Sequence, residues 1–139
     1  MLGVIAAARQ PGDDRSIADT EELWRRVHPA QIVPDDNTGL RRPSSAAFSD
    51  PSDGTPMSIY LSSLVIQSGR TPRDLLVGRQ GTGLVGFRAH HVRELGLSVA
   101  RDPLPEEPAH GIVVGTKTKQ IQRKLARCAA WIVDPEMPD

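Results

Sequence analysis

Apolar and polar residues alternate along Met57-Ser58-Ile59-Tyr60-Leu61, the period-two signature of a strand with one buried face. His110-Gly111-Ile112-Val113-Val114-Gly115 is a short continuous apolar run between turn signals, which predicts a buried strand. Ala130-Trp131-Ile132-Val133, stopped by Asp134-Pro135, predicts a third. These three are expected in one sheet. Gly83 to Ala89 reads as another strand, and residues 97–101 as an edge strand. The edge strand cannot run on into residues 102–108, because three prolines remove ladder donors there.

Helical spacing is clearest over residues 117–128. Thr116 or Thr118 caps that helix, and Ile121, Leu125 and Cys128 or Ala129 share one face. Residues 90–95 predict a helical turn or two stopped by Gly96. Thr71-Pro72 predicts a cap and first helical position, and Gly78 closes that short helix. Residues 23–27 fit two patterns. They read as a short helix capped by Asp19 or Thr20, with Glu21 and Glu22 near its positive end. They read equally as a strand, with Leu23, Arg25 and Val27 on one face and Trp24 and Arg26 on the other. The proline after His28 ends either element.

Between these segments lie breakers. Gln10 to Arg15 has no periodicity, so residues 1–19 are expected to form a flexible tail, mobile or only partly docked. Val33 to Gly39 is a strong turn. Residues 41–56, rich in Arg, Ser, Pro, Asp and Gly, predict a long mobile loop that borders any ligand site, with Phe48 pinning it. Short strands mixed irregularly with short helices give an α+β class: one small mixed sheet and a few short helices in a single domain over residues 20–139.

Composition narrows the picture. Apolar residues are 38% and only five are aromatic, so the core is expected to rest on Val, Leu, Ile and Ala. No apolar run approaches the ~18 residues of a membrane span. The first residues lack the basic start of a secretory signal. The single cysteine, Cys128, excludes an internal disulfide, and together these suit a reducing cytoplasm. Net charge is zero, which argues against a general nucleic-acid coat but leaves room for a local patch. The 14 arginines against 3 lysines fit the codon bias of a high-GC bacterium.

Several groups are candidates for chemistry. Gly81-Thr82-Gly83-Leu84-Val85-Gly86 matches a dinucleotide-binding fingerprint, with Asp102 near the ribose position. The opposing interpretation is a glycine-rich turn into a strand. Gly115-Thr116-Lys117-Thr118 stands between a strand and a helix, where free N–H groups, the helix dipole and a lysine favour an anion. Beyond it, Lys117, Lys119, Arg123, Lys124 and Arg127 follow without an intervening acid, and Lys117, Gln120, Lys124 and Arg127 share a stripe. Thr116, Lys117, Thr118, Lys124 and Arg127 are therefore the anion-binding candidates. The same cations would equally suit the chain's own acids, Asp13-Asp14 or Glu106-Glu107. Asp102, Glu106, Glu107 and His110 form a carboxylate–histidine group, without standard metal spacing. Cys128 is expected to be a buried thiol, and Ser44-Ser45 has no nucleophile-elbow setting.

Leu23-Trp24-Arg25-Arg26-Val27-His28-Pro29 with Arg42 to Phe48, and Pro105 to His110 with Gly115 to Thr118, resemble small bacterial proteins that carry no assigned activity. The first half also resembles, faintly, the RES-type and other ADP-ribosyltransferase-like domains that consume NAD. That resemblance implies an arginine on the first strand, Arg25, clamping the cofactor phosphate. It implies Tyr60, in Tyr60-Leu61, stacking on nicotinamide, with Ser62 following. No glutamate stands in residues 64–76, where that family places an acid. Two functions follow as expectations. The first is a small accessory module, without a cofactor, that binds a protein or a phosphate-bearing partner. The second is an NAD-processing enzyme or toxin.

Overall fold

The computed structural model describes residues 12–135. Its main sheet has six strands: β1 (Glu22–Val27), β4 (Met57–Leu61), β5 (Gly83–Arg88), β6 (Ser98–Arg101), β7 (His110–Val114) and β8 (Ala130–Val133). Their order is β6-β7-β4-β1-β5-β8, and every neighbouring pair is antiparallel. A separate two-stranded ribbon joins β2 (Ile32–Pro34) to β3 (Arg41–Pro43). Among the described residues three α-helices accompany the sheets: α1 (Ser62–Gln67), α2 (Ala89–Glu94) and α3 (Lys119–Cys128). Short 3₁₀ turns stand at Pro29–Gln31, Ser45–Phe48 and Pro72–Leu76. The α+β class is thus observed, with the three strands expected to share a sheet all in it. No helix among the described residues is long and apolar enough to cross a membrane.

The ambiguous segment 23–27 is a strand, not a helix. It sits in the middle of the sheet, where ladders to β4 and β5 outweigh local helical preference. Its alternation divides the molecule into layers. Leu23 and Val27 enter one core with Phe48, Val85, Phe87, Val92, Val113 and Leu125, under α2, α3 and the 45–48 turn. Trp24 enters the other with Val65, Leu75, Leu84 and Val133, under α1 and the 72–76 turn.

The glycines of the dinucleotide-like motif serve this packing, and the segment is a strand where the fingerprint requires a helix. Gly81 turns the chain at φ 77°, a conformation that favours glycine. A Cβ on Gly83 would lie 2.5 Å from the Trp131 ring, and one on Gly86 would lie 2.9 Å from Ile132. Both strand glycines are therefore close-approach sites for β8 side chains.

Two segments are more built than their composition suggests. Residues 1–11 lie outside the described residues, but residues 13–19 of the expected tail are docked. Asp14 N–H donates to Val99 O at 2.9 Å, Asp13 accepts from Val99 N–H at 3.0 Å, and Ile17 is buried. The expected long loop at residues 41–56 contains β3 and the 45–48 turn. Phe48 does pin it, fully buried and edge-on to Phe87 at 5.8 Å. Arg25 holds it as well, donating to Ala47 O and Ser58 O at 2.6 Å each.

Candidate functional site

On the α3 side of the sheet, the β2–β3 ribbon and the start of the 45–48 turn stand beside the exposed flank of α3. Between them lies an open groove of about 810 Å³, within the usual range of small-molecule sites. Arg42, Arg123 and Arg127 line it, together with Ser44, Ser45, Asp35 and Asp36. Arg123 and Arg127 stand one helical turn apart, so their side chains are neighbours. Among the described residues neither has a carboxylate partner. Arg42 faces Asp35 at 3.6 Å, too long for a well-made charged hydrogen bond. The main-chain N–H groups of Asn37 and then Thr38 donate to Asp35 and hold its carboxyl below the ordinary range, so Asp35 stays charged at neutral pH.

The anion-binding candidates do not act as one set. Lys117 lies before the helix and turns inward, its side chain only 2% exposed. Its Nζ donates to Val113 O at 2.6 Å and pairs with Asp50 at 2.8 Å. The expectation that Lys117 belongs to an outward stripe is corrected: α3 begins two residues later, and the lysine is an internal tie between β7 and the 41–56 segment. Thr118, not Thr116, caps α3, accepting from Ile121 N–H at 3.2 Å. Thr116 and Lys124 are exposed, and neither lines the groove. Arg127 does, together with Arg123, which was noted in the sequence only as part of the basic run. Three of the acids expected to answer α3 pair elsewhere: Asp13 with Arg93, Asp14 with Arg101, and Glu107 with Arg70.

Arg25, Tyr60 and Ser62 are not brought together. Arg25 shares the face of Leu23 and Val27, whereas Tyr60 shares that of Trp24 and packs with the second core. Burial pushes the pKa of Arg25 down to about 10, and its donors are spent on main-chain carbonyls. Ser62 is buried at the start of α1, its hydroxyl donating to Glu21 Oε2 at 3.2 Å. The arginine that meets Tyr60 is Arg26, whose guanidinium lies 5.0 Å from the ring centroid. Its Nε donates to Leu75 O at 2.8 Å. Tyr60 and Arg25 thus face opposite sides of the sheet, an arrangement that offers no common pocket for one nicotinamide cofactor.

Cys128 is exposed at the end of α3, not buried as expected. Partial desolvation, and then Glu94, raise its pKa above the ordinary thiol value, so it remains a thiol at neutral pH. Among the described residues no three His, Cys, Asp or Glu side chains converge to hold a metal. Comparison with family models, with curated proteins and with solved structures finds no match for this chain.

Proposed function

We propose that this protein is a binding module for a small phosphate-bearing ligand, seated in the groove between the β2–β3 ribbon and α3. The observation that supports it is the pair Arg123 and Arg127, exposed side by side, free of carboxylate partners among the described residues, and lining an open groove with Arg42. Guanidinium groups carry a rigid fork of donors that matches phosphate oxygens. Ser44 and Ser45 add hydroxyls beside them. The same groove supplies carboxylate acceptors at Asp35 and Asp36, suited to the hydroxyl or amino groups of the same ligand.

That mixed lining favours a compact ligand over a long polyanion, which the two aspartates would repel. Zero net charge agrees, because no protein-wide field draws in nucleic acid. Calorimetric titration with pyrophosphate, ADP and a single-stranded oligonucleotide tests the proposal. ADP and pyrophosphate are expected to bind, and Arg123→Gln or Arg127→Gln to weaken them by about tenfold or more, since a hydrogen bond to a charged group contributes about 1.5–3 kcal/mol. Equal affinity in the double variant, or binding of the oligonucleotide alone, would refute it.

A further inference from the structure

On the other face of the sheet, away from the groove, three side chains form a chain of contacts. Ser58 and Tyr60 point to that face from β4, and His110 points to it from β7, paired with Tyr60 across the ladder. His110 Nε2 lies 3.1 Å from Ser58 Oγ. Its Nδ1 lies 2.8 Å from the main-chain oxygen of Asp102 and 3.2 Å from Asp102 Oδ2. A carbonyl oxygen only accepts, so Nδ1 carries the proton and donates to Asp102. In the neutral ring Nε2 is then the acceptor, and the hydroxyl of Ser58 donates to it. Serine, histidine and aspartate thus stand in the order nucleophile, base and orienting group.

The base is the most sheltered of the three. Ser58 is exposed, and the His110 side chain is 15% and that of Asp102 49% exposed. A substrate carbonyl can reach the hydroxyl while the imidazole stays held from behind. Ala100, Ile112 and Val114 form a small apolar cluster on that face, next to Ser58 because Ser58 pairs with Ile112. Tyr60 lies there too, its phenol kept protonated by burial and so able to donate.

From this geometry we infer that Ser58, His110 and Asp102 form an acyl-transfer site that takes small activated carboxylic esters. Ser58 Oγ bonds to the acyl carbon as its proton passes to His110 Nε2. The bond from that carbon to the leaving oxygen breaks, and the departing alcohol takes the proton from Nε2. Water then attacks the acyl-serine and gives one proton to Nε2. The carboxylic acid departs as Ser58 Oγ recovers that proton. Ser58 and His110 are the catalytic residues, and Asp102 positions the imidazole and stabilises its charged form.

The test is covalent labelling of the full chain with a fluorophosphonate, which loses fluoride to an activated serine, read by mass mapping of the modified peptide. Labelling is expected at Ser58, absent in Ser58→Ala and in the denatured wild-type chain. His110→Gln is expected to slow it by about a hundredfold or more, the usual contribution of a positioned base. Asp102→Asn keeps the carbonyl contact and removes the charge, and is expected to slow labelling while leaving Tm unchanged. Rescue of that rate by Asp102→Glu would separate the charge from mere packing. No label on Ser58 in the folded wild-type chain overturns the inference. So does labelling of a folded His110→Gln protein at the wild-type rate; if that variant does not fold, an unslowed Asp102→Asn does the same. The outcome is independent of phosphate binding, because the groove lies on the opposite face.

Discussion

Lys117 shows how far a single residue's role can depart from its neighbourhood in the chain. It heads a run of cations and looks like part of an outward patch, yet it is buried against Asp50 and Val113 O. Nothing local marks this, because both partners arrive from other elements. Lys117→Met leaves that carbonyl and carboxylate without their cation. It is expected to lower unfolding free energy by about 1–3 kcal/mol, the cost of stripping a partner from a buried polar group. Urea denaturation measures it, and phosphate affinity should stay unchanged. Gly83 is the converse case. A motif suggested phosphate binding there, but the missing side chain makes room for Trp131. The indole N–H is itself tied to Arg41 O at 3.1 Å, so the ring cannot easily yield. Gly83→Ala is expected to destabilise by about 1–3 kcal/mol through overpacking, with a midpoint shift in the same denaturation experiment. A stability equal to wild type would show that Trp131 moves freely.

Among the elements, those with strong internal patterns were legible. Alternation located β4, apolar runs bounded by turns located β7 and β8, and Gly96 stopped α2, adopting φ 80°. α1 was not legible, and the reason is physical. Its cap position is Leu61, which offers no side-chain acceptor, and Ser63 N–H instead donates to Glu21 Oε2 at 2.9 Å. A helix start completed from another part of the chain leaves no local signal. The connection from β6 to β7 shows a similar remote tie. Arg70 grips Glu107 through two hydrogen bonds of 2.6 and 2.7 Å. Those bonds hold the carboxyl of Glu107 below its ordinary value of 4.5. A carboxyl depressed in the folded state stabilises above its unfolded pKa and loses that contribution as pH falls through the folded one. The wild-type chain is therefore expected to exceed Glu107→Gln in stability by about 1 kcal/mol at neutral pH. The gap should close as pH drops below 4.5, as followed by Tm across an acid series. A gap independent of pH would assign the difference to packing.

At the scale of the whole molecule, the sheet order β6-β7-β4-β1-β5-β8 decides what can meet. The class of fold was legible from the pattern of elements, but not this order, because antiparallel pairing between distant segments depends on which faces bury together. Within it, the register of β1 against β4 places Arg25 and Tyr60 on opposite faces, separating residues that stand in sequence like parts of one cofactor site. The order places Ser58 beside His110, although 52 positions separate them. Only the register Tyr60↔His110 makes that neighbourhood; both strands and the grouping of Asp102 with His110 were visible in advance, but the register was not. The groove is assembled in the same way. The 41–56 segment was expected to border a site by its length and polarity, and Arg42, Ser44 and Ser45 do line the groove. The docking of Phe48 brings them there.

The groove's role is tested by following the arginine Nε–H signals in a nitrogen–proton correlation spectrum during titration with ADP. Saturable shifts are expected at Arg42, Arg123 and Arg127, with the backbone signals of Ser44 and Ser45 moving in step and Arg25 and Arg93 staying fixed. Shifts confined to residues outside the groove, or none at saturating ADP and pyrophosphate, would contradict a phosphate site between the β2–β3 ribbon and α3.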